Sequence, residues 1–322
     1  MSRNSTAAIC CALLLELFAF PVFAADSWPS KSIRLIVPFA PGGSTDISAR
    51  VLAEGLRPLL GQPLVIDNRP GAGGNIAGEV AAKSAPDGYT FLVATATLAA
   101  NVSLYKNLRY DFVRDFAPVS QVYSSSNVLV VSPTLPVTNL AEFITYVKSG
   151  QKLNYGTAGN GSSQHLAAAL FNNMVGGSMV PVPYKGGAPA TTALLGGEVQ
   201  AIFAPLIEVI PHIRAGTIKA LAVCGKKRSA LVPGVPVIGD LLPGYETASW
   251  GGIVAPAKTP TDIVNKLYQA LARVLTLPSV KANFAEGDKE LVGSSPAEFK
   301  QFIATDVERL RMQVKISGAR ID

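Results

Sequence analysis

The 322-residue chain predicts an α/β protein of two lobes, each built on its own largely parallel sheet. Three observations predict it. Short β-branched runs alternate with alanine-rich helical stretches, and Gly or Pro marks most of the boundaries. One unit recurs in the two halves: a strand, then Ala40-Pro41-Gly42-Gly43-Ser44-Thr45-Asp46, then a helix, matched later by a strand, then Thr157-Ala158-Gly159-Asn160-Gly161-Ser162-Ser163, then a helix. The length left after an N-terminal leader, about 300 residues, exceeds what one core usually serves, and 48% apolar residues supply material for two.

In chain order, Arg3, the apolar run over 7–20 and the small-residue pattern Val22-Phe23-Ala24 read as a signal peptide over 1–24, with the mature start near Ala25 and export to the periplasm. The apolar run is shorter than the roughly 20 residues of a spanning helix and is interrupted by Glu16. Cys10 and Cys11 leave with it, so mature Cys224 has no disulfide partner in the chain. Strands are expected over 33–39, 64–67, 89–95, 128–132, 153–157, 179–183, 199–203, 218–223 and 251–255. Helices are expected over 46–60, 76–83, 140–148, 162–175, 188–195, 261–276 and 296–316. Polar Ser124-Ser125-Ser126 and the stretch 245–249 behind Pro243-Gly244 are the two places where the chain can cross between lobes. The first lobe is then 25–124 with 250–322, the second 125–249, and a hinged cleft lies between them.

Gly42, Gly43, Ser44 and Thr45 stand where a strand ends and a helix begins, so their N–H groups lack intrahelical partners. Glycine permits close approach, the hydroxyls can cap or donate, and the helix dipole favours an anion. Gly159, Asn160, Gly161, Ser162 and Ser163 repeat that logic, and two such turns facing one cleft can hold a carboxylate without an arginine. Each turn read alone is equally a tight connection before a capped helix, and Asp46 fits that plainer role as a first-turn acid.

Other chemistries lack their residues. Neither glycine turn supplies the lysine of a phosphate-binding P-loop, and Gly71-Ala72-Gly73-Gly74 lacks the third glycine of a dinucleotide fingerprint and reads as a turn after Asn68-Arg69-Pro70. Two histidines and one mature cysteine provide no zinc set, and no metal or cofactor is expected. The 28 basic against 22 acidic residues are scattered, with only Lys226-Lys227-Arg228 clustered, so no nucleic-acid footprint appears, although the excess can concentrate anionic solutes. Ser162 and His165 could share a helix face as the start of a hydrolytic pair. No Gly-x-Ser-x-Gly elbow and no orienting acid accompany them, so His165 reads as a packed or lobe-bridging histidine and His212 as an ordinary helix residue.

Several motifs in order resemble the Bug/TctC family, the extracytoplasmic solute receptors of tripartite tricarboxylate transporters. They are Trp28-Pro29, Ile36 through Asp46, Val65 through Gly74, Pro86-Asp87-Gly88-Tyr89-Thr90, Gly161 through Ala167, Val182 through Gly187, Pro211 through Gly216, Leu221-Ala222-Val223 and Ala255 through Pro260. The resemblance implies a type II periplasmic-binding-protein (Venus-flytrap) fold and binding without turnover. It also implies a monomeric receptor that passes a small organic carboxylate to the membrane subunits of such a transporter. A receptor serving a sensor partner, and a hydrolase using Ser162 and His165, are the alternatives.

Carried over residue by residue, the family's carboxylate-holding turns fall on Phe39, Ala40, Pro41, Gly42, Gly43, Ser44 and Thr45, opposite Thr157, Ala158, Gly159, Asn160, Gly161 and Ser162. Thr95, Thr97, Ser125 and Tyr184 lie around the rim, and His165, Phe203 and Ala204 complete the candidates. After Ala201-Ile202-Phe203 many relatives resemble one another in carrying an aspartate, where this chain has Ala204-Pro205. Such a carboxylate could pair with a ligand's ammonium group, so its absence at this position points to an uncharged-bodied carboxylate solute, aromatic or aliphatic, rather than an amino acid. Gly234-Val235-Pro236-Val237 departs too, at an expected surface turn.

Overall fold

The structure, a computed structural model, describes residues 28–319. The signal peptide expected over 1–24, with Cys10 and Cys11, lies outside the described residues. Two sheets organise the chain, of six and five strands.

The first half opens with β1 (Ile33–Val37), α1 (Ser44–Leu60), β2 (Leu64–Asn68), α2 (Asn75–Ala82), β3 (Thr90–Thr95), α3 (Ala96–Leu104) and β4 (Phe116–Ser125). Then come β5 (Asn127–Val131), α4 (Leu140–Lys148), β6 (Asn154–Thr157), α5 (Ser163–Val175), β7 (Val180–Pro183), α6 (Gly187–Leu195), β8 (Ala201–Pro205), α7 (Leu206–Arg214) and β9 (Lys219–Val223). The chain closes with β10 (Ser249–Pro256), α8 (Thr261–Val274), α9 (Pro278–Glu286), β11 (Lys289–Leu291) and α10 (Pro296–Ser317). Helix α10 starts at a capping box, Ser295 bonding the Glu298 amide while the Glu298 carboxylate returns to the Ser295 amide.

The first sheet runs β11-β4-β10-β3-β1-β2 and the second β7-β6-β8-β5-β9. The expectation of largely parallel sheets needs one correction, because both are mixed. The parallel ladders are the βαβ-connected ones, β1 with β2 and β3, and β6 with β7 and β8. In each sheet the strand that arrives straight from the other sheet is inserted antiparallel: β10 between β3 and β4, and β5 between β8 and β9. Such a strand enters from the end at which its neighbours finish, without a crossover helix to reverse it. Only Ser126 separates β4 of one sheet from β5 of the other.

Side-chain alternation gives each sheet two buried faces. Leu35 and Val37 of β1 pack toward α1 and α8, with Leu56, Phe91 and Leu271, while Ile36 faces Leu92, Phe299 and Ile303 on the α10 side. In β5, Leu129 and Val131 meet Phe143 and Phe171, and Val128 and Val130 meet Leu194 and Val209. Each lobe is thus a helix–sheet–helix sandwich. The lobes are also joined outside the strands: Leu166 of α5 is buried in the α10-side core, and Asn173 Nδ2 donates to Ile316 O at 2.8 Å.

Five elements escape a reading by pattern. Helix α3 has small or apolar residues on nearly every side and buries Ala96, Thr97, Leu98, Ala99, Ala100 and Asn101, so it shows no amphipathic stripe. Helix α7 contains Pro211, which ordinarily argues against a helix interior. Strand β4 carries Pro118, Ser120 and Gln121 instead of a β-branched run. Helix α9 and strand β11 are only 9 and 3 residues long, too short for periodicity to declare them. No described helix is long and apolar enough to cross a membrane.

Candidate functional site

A cavity of about 40 Å³ lies between the sheets, where the two glycine turns meet. Of the residues expected from the sequence, Phe39, Gly43, Ser44, Thr45, Thr95, Thr97, Ser125, Ala158 and Ser162 line it. The turn after β1 passes through Gly42 at φ +83°, a conformation suited to glycine. It is locked by Asp46, whose carboxylate accepts from Gly42 N at 2.9 Å, from Asn68 Nδ2 at 2.9 Å and from Arg50 Nε at 2.9 Å. Burial raises the Asp46 pKa, but those three donors outweigh it and hold the carboxyl below its usual range. Asp46 therefore shapes the turn from its outer side. Ala40 N donates to Lys185 O at 3.0 Å, tying this turn to the loop before α6; Pro41 and Gly42 are exposed.

The turn after β6 is built from inside the second lobe. Thr157, fully buried, accepts the Gly159 amide on its Oγ1 at 3.2 Å. Ser162 is the N-cap of α5, its hydroxyl accepting from His165 N at 3.2 Å, and His165 Nδ1 in turn accepts from Gly161 N at 3.1 Å. Burial pushes His165 down to about 4, so the neutral ring acts as an acceptor. With Nδ1 on the turn and the Ser162 hydroxyl on the helix cap, the two side chains do not bond each other, which removes the nucleophile–base contact a hydrolase needs.

His165→Leu is accordingly expected to orphan the buried Gly161 N–H and to lower unfolding free energy by about 1–3 kcal/mol, measured as a shifted denaturant midpoint. The folded pKa lies below the unfolded value near 6.5, so the wild-type contribution is complete above about pH 6.5 and is lost as pH falls through about 4. The variant should lack that acid-side slope.

Gly159, Asn160 and Gly161 face the first lobe. A Cβ at Gly161 would strike Asn101 Oδ1, and one at Gly73 would strike Asn160 O. The Gly71-Ala72-Gly73-Gly74 run, expected only as a turn, is thus where the two backbones approach; its compositional signal was present, but its cross-lobe purpose is non-local. The remaining candidates do not reach the cavity. Tyr184 OH bonds Glu198 Oε2 at 3.1 Å, and Phe203 and Ala204 are fully buried in the two cores of the second sheet because β8 is its central strand.

Ser163, expected with the second turn, also lines the cavity, as do Tyr123, Gln164, Gly187, Pro205, Glu208, Ser249 and Trp250, which were not site candidates. Trp250 is fixed by its Nε1–H donating to Asp306 Oδ2 of α10 at 2.7 Å. Glu208 matters most. It sits in the first turn of α7, and its Oε1 crosses the cleft to accept from Ser44 N, the first amide of α1, at 2.7 Å, while Oε2 accepts from Gln164 Nε2 at 3.1 Å. Ala204-Pro205 carries no carboxylate, but the chain supplies one four residues on, at the strand-to-helix junction of β8 and α7.

Burial pushes Glu208 up to about 7, against the Ser44 amide, the Lys289 charge and the Gln164 amide. Lys289 is itself buried, donating to Ser44 O at 3.0 Å and to Ser48 Oγ, with Nζ 4.6 Å from the centre of the Tyr123 ring. Burial brings it down to about 8, with Glu208 opposing. The charges therefore form a loose pair on either side of the α1 N-terminus. Among the described residues, no three His, Cys, Asp or Glu side chains gather as a metal site.

Residues 48–318 match the family model described as "Tripartite tricarboxylate transporter family receptor". BugT of Bordetella pertussis is 38% identical over 307 residues, 94% of each chain. Among solved structures, an R. palustris protein with adipate matches at TM-score 0.88 and 38% identity, covering 91% of this chain and 100% of the other. MatC from Rhodopseudomonas palustris with bound malate matches at TM-score 0.85 and 32% identity, covering 89% and 100%.

Proposed function

The chain belongs to the Bug/TctC family of tripartite tricarboxylate transporter receptors, and from that premise we propose that it captures a small organic carboxylate in its interlobe cleft and delivers it to the membrane subunits of such a transporter. The supporting observation is the meeting of two strand–glycine–helix turns at one hydroxyl-rich cavity. Adipate and malate in the related structures are acids of the class such a cavity suits. Export through residues 1–24 places the receptor in the periplasm, and the two lobes comprise 25–124 with 250–322, and 125–249.

Recognition here needs no covalent step. Amides at the starts of α1 and α5, other than the Ser44 N that Glu208 holds, with Ser44, Thr45, Thr95, Thr97 and Ser162 hydroxyls, exchange for the solute's hydration shell, and their directions are set before the solute arrives. A cavity of about 40 Å³ is far below the several hundred Å³ of a typical ligand pocket. Entry therefore requires the lobes to part about the Ser124–Ser126 and 245–249 crossings and to close again on the solute.

A ligand that binds only the folded protein raises its apparent stability, by about 2.7 kcal/mol at a hundred times Kd. A thermal-shift screen over mono-, di- and tricarboxylates is expected to find several degrees of stabilisation by at least one acid. A flat response to every acid would refute the carboxylate reading.

A further inference from the structure

A cleft that takes an anion would ordinarily present donors, and a carboxylate from the protein inside it is repulsive unless something offsets it. Glu208 is nevertheless held there by construction. Its oxygens are gripped by one group from each lobe, Ser44 N and Gln164 Nε2. Space for it is kept by glycine: a Cβ at Gly187 would run into both oxygens, and one at Gly43 would approach Oε1 to 3.4 Å. A carboxylate offers about four acceptor positions, and these two bonds use two.

A second acceptor accompanies it. Gln164 is 2% exposed and lines the cavity, and with its Nε2 given to Glu208 its Oε1 is buried without a partner among the described residues. Thr95 Oγ1, on the cavity wall and 4% exposed, is likewise without a partner among them. Buried polar atoms are rarely left unpaired, and each such atom asks for an explanation. A hydroxyl can be met by a donor or an acceptor, but a carboxylate and an amide oxygen side by side are met only by hydrogen-bond donors.

We propose that the solute carries a donor group, a hydroxyl or an ammonium, in addition to its carboxylate, and that Glu208 with Gln164 Oε1 forms the acceptor pair that selects it. This rests on the carboxylate-receptor reading and narrows it. The solute's carboxylate is held by the amides and hydroxyls of the two turns, while its donor hydrogen-bonds the acidic side chain on the wall, Glu208. The Lys289 charge, behind Ser44, opposes the protonation of Glu208 that burial favours.

Glu208→Gln is the informative variant, because it reverses polarity at nearly constant shape. The new amide keeps an oxygen for Ser44 N but presents a donor to Gln164, which must turn its own oxygen inward and aim its NH₂ at the cavity. Titration calorimetry with diacids matched in length supplies the test: succinate against malate and aspartate, and adipate against 2-hydroxyadipate and 2-aminoadipate. For the wild type, one donor-bearing acid should bind at least about tenfold more tightly than its plain counterpart, the scale of one hydrogen bond to a charged group. In Glu208→Gln that ratio should collapse to about one or invert. The malate and aspartate arms separate hydroxyl from ammonium.

Equal wild-type affinity within a matched set, or an equal loss for all acids in the variant, would overturn the proposal while leaving the receptor reading intact. No binding by any of the six also overturns it, and silence across a wider acid panel removes the receptor reading as well. If Glu208→Gln does not fold, Gln164→Met, which deletes the unpartnered oxygen while keeping Glu208, should narrow the same ratio.

Discussion

Gly161→Ala is expected to abolish high-affinity solute binding while leaving a folded protein. Two costs combine. At φ +77° an L-residue loses about 1–2 kcal/mol relative to glycine whether the lobes are apart or together. The added Cβ also collides with Asn101 Oδ1 of the opposite lobe, and Asn101 is fully buried and pinned by bonds to Gly73 O and Asn75 Oδ1, both at 2.9 Å. That collision exists only when the lobes meet, so it acts on closure. A penalty of about 2–3 kcal/mol on the closed arrangement alone weakens binding by thirtyfold or more. Calorimetry should show that loss, with a melting temperature lowered only by the φ strain. Gly42→Ala is the matched control: φ is +83°, but the nearest atom is Ala188 Cβ at 3.8 Å, an ordinary contact. It should share the strain and keep much more of the affinity.

Lys289→Met is expected to destabilise the protein by about 2–4 kcal/mol at pH 7.5, since it leaves Glu208 facing a low-dielectric site without its opposing charge. This is somewhat less than for a wholly buried broken pair, because Glu208 is only partly buried. The pH dependence carries the diagnosis. Glu208 is raised to about 7 in the folded state, so between roughly pH 4.5 and 7 the native protein holds a proton that the unfolded chain has released. Its stabilising contribution is complete below about 4.5 and is lost as pH rises through 7. At pH 5.5 Glu208 is mostly neutral and the lysine is a buried charge without a counter-charge, so its removal should cost less than about 1 kcal/mol. Denaturant titrations at the two pH values should show that contrast, and Lys289→Met with Glu208→Gln should recover most of the loss at pH 7.5. An equal cost at both pH values would mean that Lys289 acts through its bonds to Ser44 and Ser48 alone.

What could be read from the sequence was local. Both glycine turns were visible because each combines a short strand, a conformation needing glycine and a hydroxyl at a helix start within about a dozen residues. The helix expected over 140–148 forms over Leu140–Lys148, with Asn139 as its cap. The site's charges were not legible, because their meaning comes from contacts across 164 residues for Glu208 with Ser44 and 245 for Lys289 with Ser44. Glu208 was further hidden because only His212 of its helix was read as helical, and Pro211 in the interior left that helix without a bounded start. Ala204 illustrates the converse error: a departure in sequence beside the right strand looked informative, but the central position of β8 turns that residue into the core. The antiparallel insertion of β5 and β10 depends on the end from which each strand enters its sheet, which no local pattern carries.

Solute capture at the cavity between the two turns can be tested by emission from Trp250, one of only two tryptophans in the chain and the one that lines the cavity. With Trp28 replaced by phenylalanine, titration of the acid that gives the largest thermal shift should change Trp250 emission saturably, with the midpoint equal to the calorimetric Kd. Tight calorimetric binding with unaltered Trp250 emission would place the solute elsewhere and contradict the cleft as the capture site.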